Sequence, residues 1–195
     1  MNIRDWSSDV CSSDLAIHSL DLEDYSSDGQ YLEVVHRPET ETPIKNAEDG
    51  ERHVALSESI CELLDNWIAD RRPTVTDKTG RNPLLSTSHG RTHITTLRGD
   101  CYRSTRPCEY AGECPHERSI SDCDAADYGS ESECPSSVSP HALRRGGITH
   151  HLNNSVPKDV VSDRANVSKD VLDTHYDQRS GQEKMEQRRE YLNNL

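Results

Sequence analysis

The stretch SESICELLDNWIADRR, residues 57–72, sets the strongest local constraint on this chain. Ile60, Leu63, Leu64, Trp67 and Ile68 recur at i, i+3, i+4, i+7 and i+8, which gathers the large apolar groups on one face of a helix. Ser57 stands at the N-cap position and Pro73 follows the basic pair Arg71–Arg72, so the helix has both a start and a stop. Such a face must lie on something apolar. Three short runs upstream qualify as strands: Ser19 to Tyr25 (SLDLEDY), Tyr31 to His36 (YLEVVH) and Arg52 to Leu56 (RHVAL), the first two flanking the turn SSDG.

Downstream the signals are helical. Thr92 to Arg103 reads as a helix in a region that carries Arg91, Arg98 and Arg103. Ser139 caps a helix with Pro140 in its first turn, running to about Asn153. A short helix follows through Val161, then one capped by Ser168 (KDVLDTHY), and a polar one after Ser180. The order places the chain in the α+β class, mainly α. At 195 residues it is one domain. Apolar content of 31%, the absence of Phe and a mean hydropathy of -0.90 leave only a modest core. No run is long and apolar enough to span a membrane.

Charge divides the chain. The net value of -13 comes with 5 Lys against 17 Arg, a balance similar to proteins of salt-loving archaea. At ~1 M salt, fields are screened within about 3 Å, so an acidic surface there does not exclude a nucleic-acid partner. From Pro135 to Leu195 there are 9 basic and 8 acidic residues, whereas Ala16 to Cys134 holds 12 and 24. An anionic partner is expected on the last third.

Residues 4–15, RDWSSDVCSSDL, have neither helical nor strand period and no apolar core of a signal peptide. Back-translated, they resemble a common short-read sequencing adapter. Residues 1–15 are therefore expected to be non-native, with the domain proper at 16–195.

Seven cysteines occur. Cys11 lies in the adapter-like segment, and Cys61, on the helix at 57–72, is expected in the core. The rest fall in a polar Cys-rich insert at about 101–137, where Cys108, Cys114, Cys123 and Cys134 could hold a structural zinc, with His116 as an alternative ligand and Cys101 outside the set. Disulfides and free thiols are the other readings, since the spacing lacks a clean C-x-x-C. A zinc here would position the following helix.

Chemistry concentrates in SPHALRRGGITHHLNNSVPKDVVSDRANVSKDVLDTHYD. His141 and Arg144 lie three apart, on one helical face, and Tyr176 follows two short helices later. About one His-x-x-Arg is expected by chance in a chain with this many His and Arg. As an ordered set, however, these residues resemble the C-terminal end of the tyrosine recombinase (phage integrase) family: His-x-x-Arg, a Gly/Ala helix, a second His or Trp, then the nucleophilic Tyr. The likeness is close over 139–180. It extends to 16–195 through a small three-stranded antiparallel sheet, the helix at 57–72 and PLLSTSHGR before the next helix, and is nearest to integrases of haloarchaea.

The resemblance implies site-specific recombination on double-stranded DNA through a 3′-phosphotyrosyl intermediate. It implies a homo-tetramer, a cytoplasmic setting and no cofactor for catalysis. Tyr176 would be the nucleophile. Arg144 would clamp two phosphate oxygens, which a guanidinium can do and an ammonium cannot. His141 would assist proton transfer or bond the phosphate. Lys45, in TPIKNAEDGERHVAL, would protonate the leaving oxygen. Asn166, in RANVS, stands at the second His/Trp position, and His175 could compensate for the missing ring. Residues 182–195 would pass to a neighbouring copy. The family's first catalytic Arg belongs just before Ala16, where the adapter-like segment stands. Its loss would cost about 10²–10³ in rate, so this chain is expected to be nearly inactive although its parent is a recombinase. A competing reading is a non-catalytic, zinc-dependent DNA-binding or adaptor module that treats Tyr176 as packing.

Overall fold

The computed structural model describes residues 14–177 and 179–192. Of the adapter-like segment, all but Asp14 and Leu15 lies outside the described residues, and Cys11 with it. Those two residues open helix α1, Asp14–Ser19.

The strand expected at 19–25 is corrected. Ser19 ends α1, Leu22–Asp24 forms a 3₁₀ turn, and only Tyr25–Ser26 is extended, as β1. The reason is the carboxylate at 21. Asp21 accepts from Arg81 and Arg91, and its backbone N–H donates to Asp24 Oδ2 at 2.8 Å. This capping box bends the chain where a strand would run straight. Strands β2 (Tyr31–Val34) and β3 (Arg52–Ala55) complete an antiparallel sheet in the order β1-β2-β3, with Leu32 opposite Val54 and Val34 opposite Arg52.

Helix α2, Glu58–Asn66, lays its apolar face on this sheet. Leu32, Val34, Val54, Leu56, Ile60, Cys61 and Leu64 are all buried in one core, with Ala16 and Leu20 from the α1 side. Each fully buried Leu, Ile or Val contributes about 1.5–3 kcal/mol. Beyond Asn66 the helix widens into a π-type turn, Trp67–Arg71, closed by Arg72 N–H on the Trp67 carbonyl at 2.7 Å. Pro73 forces Arg72 into extended backbone and so ends the helical run. The wide turn delivers the Trp67 indole N–H to the Leu84 carbonyl at 2.9 Å.

A two-residue hairpin that the sequence pattern did not announce, β4 (Ser86–Thr87) and β5 (Gly90–Arg91), leads into α3, Ile94–Thr105. α3 packs against α1 and against α5, Pro140–Asn153. α6 (Lys158–Ala165), α7 (Lys169–His175) and α8 (Gly181–Leu192) follow. Ile148, Leu152, Val161, Ala165 and Leu172 make a second core between α5, α6 and α7. Among the described residues, no helix is long and apolar enough to cross a membrane.

The Cys-rich segment is not the loose loop its composition suggests. Helix α4, Pro107–Ala111, and three 3₁₀ turns organise it around Arg106, which is buried and donates to the Ala125 carbonyl. The six described cysteines form no disulfide with one another. Among the described residues no three His, Cys, Asp or Glu side chains converge as metal ligands would.

Candidate functional site

A cavity of about 720 Å³ opens where the loop before β3, α3, α5 and the α6–α7 corner meet. Lys45, His141, Arg144, Asn166 and Tyr176 all line it. His175 is exposed and stands outside that lining set.

The sequence explains how each side chain arrives. Ser139 Oγ accepts from the Ala142 N–H at 3.2 Å and Pro140 starts α5, so His141 and Arg144 fall on the first turns with three-residue spacing. His141 is exposed, while Arg144 is half-buried and donates through Nη2 to the Ala165 carbonyl. Tyr176 directly follows α7, where its N–H donates to the Leu172 carbonyl at 3.0 Å. Its ring packs partly on the second core and lies 5.9 Å from the Arg145 guanidinium carbon. The phenol is neither fully packed nor loose.

Lys45 is exposed on a tight loop in which Asn46 and Ala47 both adopt left-handed backbone, φ 70° and 50°. Asn166 holds that loop. It caps α6 in left-handed conformation, its Nδ2 donates to the Lys45 carbonyl at 3.4 Å, and its Oδ1 accepts from Asn46 at 3.2 Å. Gly50 makes the approach possible: a Cβ there would meet the Lys45 carbonyl at 2.2 Å and Asn166 Nδ2 at 3.0 Å. Asn166 stands at the second His/Trp position as a hydrogen-bond donor, and one of its two amide N–H groups is engaged by the Lys45 carbonyl.

Sequence reasoning missed Arg52 and Arg98, which also line the cavity. Arg98 donates to Asp14 Oδ2 at 2.6 Å. Arg52 is pulled down to about 10 by burial and then by the charges of Arg144 and Arg164. Arg52 could have been found, because in RHVAL it shares the inward face with Val54 and Leu56. The Cys101 thiol, in α3, is pushed up to about 11 by burial, then by the Asp100 and Asp14 carboxylates. That makes it a poor nucleophile near neutral pH.

A buried ion cluster sits just behind the tyrosine. The Asp177 side chain is fully buried and takes Arg179 at 2.7 Å and Lys158 at 2.8 Å, with Lys184 at 3.4 Å. Arg179 also donates to the Leu152 carbonyl at 2.6 Å, tying the segment after Tyr176 to the end of α5. The Arg179 bonds hold the Asp177 carboxyl well below the usual carboxylate range, against the opposing effect of burial, and Lys158 adds to it. With its folded value depressed, Asp177 contributes stability above its unfolded value of about 4, and that stability is lost as pH falls through the lower folded value. Asp177→Asn is therefore expected to lower the melting temperature at neutral pH and to flatten its decline on acidification below about pH 4. A variant whose melting curves match the parent at every pH would refute the cluster's role.

No family model matches the sequence, and no curated protein does. Solved structures do. The chain is similar to the XerA recombinase (TM-score 0.59, 14% identity, covering 95% of this chain and 55% of that one). It is similar to the Tn1549 transposon integrase in complex with a circular intermediate DNA (TM-score 0.63, 15% identity, covering 99% and 57%). The same integrase in complex with transposon right end DNA gives a TM-score of 0.59 at 14% identity, covering 98% and 58%. The chain thus spans little more than half the length of these structures. At this identity the likeness establishes the fold.

Proposed function

We propose, for a chain with the tyrosine recombinase catalytic-domain fold, that the cavity takes one phosphodiester of double-stranded DNA and that Tyr176 cuts it. The Tyr176 oxygen attacks phosphorus and gives up its proton to His141 or to water. The bond to the 5′ oxygen breaks, that oxygen takes a proton from the Lys45 ammonium, and the 3′ phosphate stays on the tyrosine. Rejoining reverses each step with a second 5′ hydroxyl, so no outside energy is consumed. Arg144 clamps the oxygens that gather charge. His141 assists proton transfer or bonds the phosphate. Asn166 steadies the loop that bears Lys45. The least acidic third of the sequence supplies His141, Arg144 and Tyr176, in keeping with a polyanionic partner. Assembly as a homo-tetramer on two DNA sites belongs to the same reading.

One observation carries it. Five residues picked for a single reaction line a single cavity although they are spread from 45 to 176 in the sequence. The reading also holds that this chain is slow, because the family's first catalytic Arg gives way to the adapter-like segment.

The test is covalent capture on a pool of nicked duplexes of randomised sequence. The chain is expected to leave a low yield of denaturant-resistant protein–DNA adduct. Tyr176→Phe is expected to leave none while duplex binding persists. Equal adduct from both proteins, or duplex binding with no adduct from a chain in which the first Arg has been restored, would favour a non-catalytic DNA-binding module.

A further inference from the structure

Arg52 lines the cavity beside Arg144, and nothing in the reaction above uses it. It lies on β3, where Val54 and Leu56 on the same face are buried in the core. Its Nε donates to the Arg164 carbonyl at 3.1 Å and its Nη1 to the Gly50 carbonyl at 2.7 Å. Arg144 donates to the Ala165 carbonyl. Two guanidiniums from different elements thus sit on successive carbonyls at the C-terminal end of α6, where the helix dipole is negative. Arg164 brings a third, bound through Nη1 to the Ala55 carbonyl at 2.7 Å.

This arrangement is more than a strand-to-helix tie. A neutral donor could bridge β3 to α6 without bringing a charge. Instead a half-buried cation stands close enough to Arg144 and Arg164 for their charges to act on it. Holding like charges together in a partly desolvated site costs free energy, which an anion bound among them offsets. A phosphate presents two non-bridging oxygens, and each can take a guanidinium.

We infer that Arg52 is a second anion-binding residue of this cavity, contacting the same phosphate group that Arg144 clamps. The inference rests on reading the cavity as a phosphodiester site. It assigns β3 a share in transition-state charge stabilisation, alongside α5.

Calorimetric titration of the full chain with inorganic sulfate tests it, because the charge of that probe does not change near neutral pH. Arg52→Met is expected to weaken sulfate binding about tenfold or more, as loss of a charge-assisted hydrogen bond does. Arg52→Lys is expected to bind at about pH 7.5 and to lose affinity toward about pH 9, since a lysine ordinarily near 10.4 is lowered by the same burial and the same neighbours. Parent binding falls far less over that interval. His141, Lys45, Asp14 and Tyr176 face the cavity in both chains, so the difference between the two profiles reports position 52.

Two results would overturn the inference. In the first, Arg52→Met binds sulfate like the parent while Arg144→Met does not; Arg52 is then only a tie, and the phosphate reading survives. In the second, neither substitution weakens binding, and the phosphate reading falls as well. Should Arg52→Met fail to fold, an Arg52→Lys profile parallel to the parent's would overturn the inference equally.

Discussion

Asp21→Ala is expected to destabilise the chain by about 3–5 kcal/mol, the usual cost of removing one partner from a buried ion pair. Its side chain is 2% exposed, and it accepts from Arg91 at 2.5 Å and from Arg81, with Arg37 3.9 Å away. Arg91 and Arg81 are themselves largely buried, at 8% and 15% exposure. Removing the carboxylate strands their charge inside the protein. The partners that remain only partly compensate. Asp77 accepts from Arg91 at 2.8 Å, while Arg81 keeps Thr42 Oγ1 at 2.8 Å and the Ser19 carbonyl at 3.4 Å. A typical domain has about 5–15 kcal/mol of stability in all, so the urea midpoint is expected to fall by about a fifth or more. Asp21→Asn, which keeps the shape and two acceptor lone pairs but not the charge, is expected to lie between. A loss of stability below about 1 kcal/mol for the alanine variant would show that the cluster is solvated in solution, as a surface pair is.

This cluster also explains what the sequence could not convey. The face of α2 is legible because its code is local: five apolar residues at helical spacing have one way to lie on a sheet. The starts of α5 and α7 are legible for the same reason, since Ser139 and Ser168 each accept from an N–H three residues on. Nothing in SLDLEDY tells that its first aspartate will be claimed by arginines at 81 and 91. With that contact hidden, the run reads as a strand. The site divides along the same line. His141, Arg144 and Tyr176 are recognisable because their order along one helix and the two that follow it resembles a known family's motif. The work of Asn166 is not recognisable, because its partners at 45 and 46 lie across the fold. Arg52 was legible in principle: an arginine on the buried side of a strand is unusual enough to ask what it faces. The Cys-rich segment hides its contacts in the same way: a buried arginine at 106 and a set of 3₁₀ turns shape it, and its composition shows neither.

Arginine has two employments in this chain, and they predict opposite mutational behaviour. Around Asp21 and Asp24 the guanidiniums meet buried carboxylates, so their charge is balanced in the resting fold. Arg144 is bonded to a carbonyl and stands within reach of the charge of Arg52. Exchanging it for lysine keeps that charge and gives up the guanidinium bond to the Ala165 carbonyl. Arg144→Lys is therefore expected to melt within about 1 kcal/mol of the parent, the net worth of an ordinary hydrogen bond. Its chemistry is expected to suffer far more. An ammonium keeps the charge but presents no planar fork, so the two oxygens that gain charge during attack cannot be held together. Loss of one such donor costs about 10²–10³ in rate. The measurement is the rate of adduct formation on nicked duplexes by the two proteins, each given an Arg ahead of Ala16 as the proposed function requires. A lysine variant within about tenfold of its parent would mean that Arg144 supplies only charge, and bidentate clamping would have to be abandoned. A variant that loses rate and stability together would assign Arg144 to the framework, as Asp21 is, and leave the cavity without its principal clamp.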